Sequence, residues 1–445
     1  MDLHLLADQP YFGAWLYDDH LVTCDLKKRH LGIHNPSAAV FWVLLEEAVS
    51  LDLLVQDYAE IFSISVKQAQ QDLESCLRNW KSDGWVCQNE HGHWSIEPKI
   101  GGNDVSTMTS GCTSVTALKP ATNLDSAPSL HRQSYCFGDV SFELQIKSTT
   151  PIEKDSFKLN FCERLIAVCN GFAKLPAAID VNYPDNAYRP TKPGYVPSNA
   201  WATLTFEGQN ILLQDSCDPN ARFVSTELAM GHVYESLIRM SYPNRQVVLT
   251  LHAAGVEKNQ QCLALAGVSG VGKSTLSAFL ARSGWDLLGD DIVAIELHQS
   301  DKPSLGLLPF PTAVGLKSGS WPTLAPLYPE LEHLPALPYG GKLAKYLAIK
   351  ASHDRFAPST PSFWDAIILP QYVSNTENSK KRVVKPLTPA EGLRGLLTAG
   401  MSLFGAPTVA EVDHALHALI GLPCFSIEYS NFDEALACLN DLTRN

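Results

Sequence analysis

The chain has no Cys-x-x-Cys pair among its 11 cysteines, no long uncharged apolar run, and a shortage of positive charge. Each shortage excludes something. Cysteines scattered from Cys24 to Cys438 make no disulfide or zinc framework, so they read as reduced thiols filling small core positions. Cys87, His91 and His93 are close in sequence but lack the second ligand pair of a zinc site. The best bilayer candidate, "AAVFWVLLEEAV", is broken by Glu46 and Glu47, so no membrane partner is expected. The first residues carry acids in place of a basic start and an apolar signal core, which predicts a cytoplasmic protein. Lys and Arg number 34 against 47 Asp and Glu, a formal charge of −13. That sign repels nucleic acid and anionic lipid.

What remains is a globular composition, 45% hydrophobic and 18% charged, over 445 residues. That length is too great for one ordinary core, so two or three domains are expected. Residues 101–130 are rich in Ser, Thr, Gly and Pro and nearly free of charge. Such a stretch buries too little apolar surface to offset its ordering entropy and reads as a linker. The expected division is an N-terminal domain over 1–98, a flexible linker over 99–133, a β-rich lobe over 134–244 and a nucleotide core over 245–445. The lobe shows no catalytic motif of its own. Its predicted elements are strands such as "VSFELQI", a hairpin through "WATLTFEGQNILLQDS", and a helix over 225–240.

The N-terminal piece opens with strand-like runs, "AWLYDD", "HLVTCDL" and "HLGIH". Pro36 suits a first helical turn ahead of "SAAVFWVLLEEAV". A second helix is predicted over 51–62. A third carries Val66, Ala69, Leu73, Cys76, Leu77 and Trp80 on one face. A hairpin, "WVCQNEHGHWSI", closes the piece. Strands, three helices and a hairpin resemble a winged helix. Residues 1–98 hold six Lys/Arg against fifteen Asp/Glu, a balance of −9, which is the wrong field for DNA. The "W-L-x-D" strand, "LVTCD" and "HNPSAAVFW" make this piece resemble the PqqD-like peptide-recognition domains, although His34 stands where that family usually has an apolar residue. The resemblance implies capture of an extended peptide by addition to a sheet edge.

The chemistry-bearing stretch is "GVSGVGKSTLSAFLARSGWDLLGDD", from Gly267 to Asp291. "CLALA" reads as a buried strand feeding a complete G-x-x-x-x-G-K-S. Gly267, Gly270 and Gly272 free the backbone so that the N–H groups of Ser269, Val271 and their neighbours converge on phosphate oxygens. Lys273 is placed to reach the β- and γ-phosphates of ATP, and Ser274 to hold Mg²⁺. Thr275 is a further phosphate contact or a first-turn hydroxyl. Asp290 and Asp291 follow one short helix later. Adjacent acids on an extended backbone point to opposite sides, so one can bind metal while the other draws the proton from an incoming hydroxyl. A water-activating ATPase base is the competing use. A hairpin turn centred between Lys258 and Asn259 would set His252 opposite Leu265, bordering the phosphate site.

His252, "GVSGVGKS" fifteen residues on, and an acid pair 23 residues after Gly267 resemble the HPr kinase/phosphorylase family and its relatives. The resemblance implies a fold shared with phosphoenolpyruvate carboxykinase, in an α+β and α/β multidomain chain. It implies Asp290 as the base acting on a serine, Asp291 with Ser274 at the metal, and His252 lining the pocket. Thr275 stands where the classical enzymes show Glu, and no Glu-x-Arg-Gly signature follows Asp291. The chain is therefore more similar to the HPr-kinase-related enzymes of peptide-modification systems. Lys317 and Lys342 are candidate cations for the transferring phosphoryl group. The expectation is an ATP- and Mg²⁺-dependent kinase for a serine on a peptide or small protein, with a homo-oligomer left open. The alternative is a nucleotide-gated peptide chaperone or regulator.

Overall fold

The computed structural model describes residues 3–9, 11–17, 19–47, 50–83, 85–88, 94–96, 129–137, 140–149, 155–174, 200–207, 210–224, 228–300, 302–339, 341–349, 362–373 and 383–443. The chain is a mixed α/β protein with several sheets, and it divides into two compact units. One comprises Met1–Thr113 with Gly405–Ile420, the other Ser114–Phe404 with Gly421–Asn445. Residues 405–420, read from sequence as part of the nucleotide core, thus group with the N-terminal residues. His91, His93 and most of the stretch read as a linker lie outside the described residues. A strand already begins at Ser129, inside that stretch.

In the first unit, strands Leu3–Gln9, Phe12–Tyr17, His20–Asp25 and His30–His34 pair antiparallel in chain order. Helices Pro36–Glu47, Leu51–Ile61 and Val66–Asp83 follow, then a hairpin of Val86–Gln88 and Trp94–Ile96. Side chains alternate across a strand, so a sheet with one covered face buries every second residue. Phe12–Tyr17 is instead buried at nearly every position. Phe12 and Ala14 join the helical core around Trp42, Leu73 and Trp80. Gly13 and Trp15 face the other way, against Val409 of the helix Val409–Ile420. Both faces are therefore covered, and residues nearly 400 positions apart share one core. The Trp15 indole N–H, fully buried, donates to Asp413 at 2.6 Å.

The described residues of the second unit form two large sheets and a small three-stranded one. The smaller of the two large sheets has six strands, with Val140–Ser148 pairing parallel to Ala200–Glu207 at its centre. The sequence reading of this lobe missed a helix, Ser156–Cys169, capped by Asp155. Phe161, Leu165 and Val168 bury one of its faces at spacings of four and three. The larger sheet runs in the order Asp286–Gly289, Ala253–Lys258, Gln261–Ala266, Ser362–Tyr372, Ser304–Leu308, Val293–His298, Val247–Leu251, Ser402–Leu403. Gln261–Ala266, the strand feeding the phosphate loop, is interior and buried along five of its six residues. The following helix, Lys273–Arg282, packs Leu276 and Leu280 into the core with Leu265, Ile368 and Ile427.

The expected hairpin exists, but its turn is Asn259–Gln260, both with positive φ (53° and 67°). That conformation matches a two-residue turn whose twist suits antiparallel strands. It pairs Ala253 with Ala266, a register two residues off the one predicted, and leaves His252 outside the hairpin. Val247–Leu251 is a separate strand, paired with Val293–His298 and Ser402–Leu403.

Replacing Asp413 by Ala strands the buried Trp15 N–H. The expected loss is about 1–3 kcal/mol of stability in the first unit. Urea unfolding followed by tryptophan fluorescence measures it. Asp413→Asn, which keeps an acceptor, should recover part of the loss, and an unchanged midpoint in the Ala variant contradicts the assignment.

Candidate active site

The glycine-rich loop expected to bind phosphate joins the interior strand Gln261–Ala266 to the helix Lys273–Arg282. Gly270 (φ 100°) and Gly272 (φ 97°) take backbone conformations that a side chain resists. Gly272 is the N-cap, so the helix begins at Lys273 with its unpaired N–H groups and positive dipole end at the loop. The Lys273 ammonium is almost buried and donates to the carbonyls of Gly267 (2.6 Å) and Val268 (3.3 Å). Burial pulls its pKa down, and Asp290 and Asp291 pull it back up. Ser269, Val271, Ser274 and Thr275 line the same cavity, which has a volume of about 800 Å³. Tyr372 and Phe432 give it aromatic surface suited to stacking a nucleobase.

The acid pair separates by a route that sequence did not anticipate. The strand Asp286–Gly289 ends before it, and Asp291 adopts φ 71°. A left-handed residue, not strand alternation, turns the carboxylates apart. Asp290 is 1% exposed. Its Oδ1 accepts from Ser277 Oγ at 3.2 Å, and its backbone carbonyl accepts from Thr312 Oγ1 at 3.2 Å. Its Oδ2 is buried with no hydrogen-bond partner among the described residues. Burial and the neighbouring Asp291 charge push its carboxyl up to about 6, against the opposing hydroxyls of Ser274 and Ser277 and the Lys273 charge. An orphaned, buried carboxylate oxygen beside Ser274 fits a cation bound between the two.

Asp291 faces the other way and is half-exposed. His252 Nε2 lies 3.1 Å from its Oδ1, and the Tyr234 hydroxyl donates to its Oδ2 at 3.4 Å. Burial opposes its ionisation, but His252, Lys273 and Tyr234 outweigh that and hold its carboxyl below the usual range. Gly400 (φ 100°) ends the helix Pro389–Ala399 directly against His252, so a side chain there would press on the imidazole. Asp291, His252 and Tyr234 also line a second cavity of about 670 Å³, which Asp290 does not line.

Among the described residues, no cluster of three His, Cys, Asp or Glu side chains forms a metal site. Mg²⁺ needs no such cage, since it keeps waters and substrate phosphates alongside one or two protein ligands.

A three-stranded sheet, Val314–Lys317, Leu337–Tyr339 and Lys342–Leu347, contributes to the walls of both cavities. Lys317 Nζ donates to Ser269 Oγ at 2.8 Å and sits 5.3 Å above the Tyr339 ring. Lys342 lines both cavities. The β-rich lobe, which looked catalytically blank, supplies Tyr234 from Ala229–Ser241 and Arg164 from Ser156–Cys169. No sequence motif points to either. Ser277 was findable: three residues beyond Ser274, it shares that helix face.

Lys273→Ala and Lys317→Ala should each weaken nucleoside triphosphate binding by roughly ten- to a hundredfold, the worth of a hydrogen bond to a charged group. Titration calorimetry with a non-hydrolysable ATP analogue and Mg²⁺ measures this. Unchanged affinity in the Lys273 variant contradicts the phosphate role.

No family model matches the chain, and no curated protein matches it. Among solved structures, the HPr(Ser) kinase/phosphatase from Coxiella burnetii is similar over 44% of this chain and 97% of that one, at 13% identity and a TM-score of 0.21.

Proposed function

We propose that this protein is a kinase that moves the γ-phosphoryl group of ATP onto an acceptor hydroxyl, with Asp291 taking the proton. One observation carries the reading. Asp291, braced by His252 and Tyr234, lines both the phosphate-loop cavity and a second cavity, while Asp290 is buried beside the phosphate-loop helix. This reverses the roles expected from sequence, where Asp290 was the base and Asp291 the metal ligand. Asp290 lines the phosphate-loop cavity alone, so an acceptor lying in the second cavity is met by Asp291.

In this reading the acceptor oxygen attacks the γ-phosphorus. A new O–P bond forms, the bond from the γ-phosphorus to the bridging oxygen breaks, and ADP leaves. The acceptor proton passes to Asp291, whose two carboxylate oxygens are oriented by His252 and Tyr234. Lys273 and Lys317 face the transferring group and offset its charge. Ser274 and Asp290 would hold Mg²⁺, which neutralises phosphate charge when bound. The remaining work is positioning, which phosphoryl transfer rewards.

The acceptor proposed is a serine on a peptide or small protein engaged by the N-terminal unit. Support comes from that unit's four-stranded antiparallel sheet, whose end strand His30–His34 offers backbone groups to an added strand.

Intact-mass measurement of seryl peptides incubated with the protein, ATP and Mg²⁺ should show the gain of one phosphate. Phosphate delivered only to water, or left on ATP, contradicts the kinase reading and favours a nucleotide-gated binding protein. Asp291→Asn should lower kcat by roughly 10²–10⁴-fold, the usual share of a general base, with ATP affinity retained. Asp290→Asn should instead raise the Mg²⁺ concentration needed for nucleotide binding. Equal loss of binding in both variants contradicts the division.

A further inference from the structure

The second cavity holds a cation that ATP does not explain. Lys273 and Lys317 belong to the phosphate-loop cavity and Lys342 lines both, but Arg164 lines only the second. Its Nε donates to the Tyr346 hydroxyl at 3.1 Å, and its guanidinium lies 4.6 Å over the Tyr339 ring. Two tyrosines thus fix the plane of the group. Among the described residues no carboxylate pairs with it. A guanidinium held flat with its other N–H groups unpaired presents a fork that matches carboxylate or phosphate oxygens.

Its surroundings say what else the occupant carries. Asp291 and His252 line the same cavity, which also has an apolar wall of Phe157, Phe161 and Met230. Tyr346 and Tyr339 hold Arg164 while Tyr234 holds Asp291, and no ion pair joins the two. An unpaired cation and a proton acceptor sharing one cavity of about 670 Å³ suit a compound with two matching groups. Resting on the kinase reading above, we propose that the acceptor bears a carboxylate near its reactive hydroxyl, and that Arg164 binds it. The anion meets Arg164, with Lys342 adding charge, while the hydroxyl meets Asp291. Arg164 is a specificity residue and takes no part in proton transfer.

Free hydroxy acids and acidic peptides share this chemistry. Titration calorimetry in the presence of ADP and Mg²⁺ separates them with two matched pairs. One pair is glycerate and its amide, glyceramide. The other is a seryl peptide with Glu beside the serine and its Gln counterpart. In at least one pair the acid should bind about tenfold or more tightly than the amide, the worth of a charge-assisted hydrogen bond. Arg164→Met should erase the difference and Arg164→Lys should keep part of it. A preference in the first pair identifies a small hydroxy acid, and one in the second an acidic peptide. No preference in either pair, or a preference that survives in Arg164→Met, overturns the inference. A purely structural Arg164 would weaken acid and amide alike. An acid preference without phosphate transfer from ATP to any acceptor would leave the anion site standing and remove the kinase reading.

Discussion

The site depends on one backbone conformation, the left-handed turn at Asp291. Two adjacent carboxylates repel and would compete for one cation if both faced the phosphate loop. The turn sends the first into the protein beside Ser277 and the second out to His252 and Tyr234. A non-glycine residue at positive φ is strained, and it persists only where its surroundings over-determine it. Here Thr312 holds the Asp290 carbonyl on one side of the turn. The pair from His252 and Tyr234 holds the Asp291 side chain on the other. The turn separates two like charges that would otherwise share one side of the loop.

A second constraint follows from the shared wall. Tyr339 lies under both Lys317, which reaches Ser269 of the loop, and Arg164, which lines only the second cavity. The aromatic ring keeps two cations apart while offering each an attractive face. The small sheet bearing Tyr339 therefore links the two halves of the site through contacts that a rigid strand pair can hold. The β-rich lobe adds the Tyr234 and Arg164 side chains from two of its helices, so the site draws on that lobe as well as on the larger sheet.

The loop and its helix were legible in the sequence because glycine spacing, a following Lys-Ser and an apolar strand each have a local cause. The helices of the first unit were legible for the same reason: of the third helix's predicted face, Ala69, Leu73, Leu77 and Trp80 are buried and Cys76 is half-buried, while Val66, at the helix start, is exposed. What failed was long-range or conformational. The register of the Ala253–Lys258 hairpin turned on whether Asn259 and Gln260 take positive φ, which composition leaves open. The two carboxylates' surroundings turn on a single φ angle, at Asp291, where the sequence reading takes an extended backbone. The helix Val409–Ile420 groups with strands almost 400 residues earlier, through Trp15 and Asp413, and no local pattern announces that. Arg164 was hidden because its helix, Ser156–Cys169, lies in a lobe whose sequence reads as mostly strand.

The most direct test of the division of labour is the position of the metal itself. A crystal structure with a non-hydrolysable ATP analogue and Mn²⁺, located by its anomalous scattering, decides it. The account predicts Mn²⁺ between Ser274 and Asp290, with the γ-phosphate facing the Asp291 carboxylate. Mn²⁺ bound by Asp291, with Asp290 turned toward the second cavity, would contradict it.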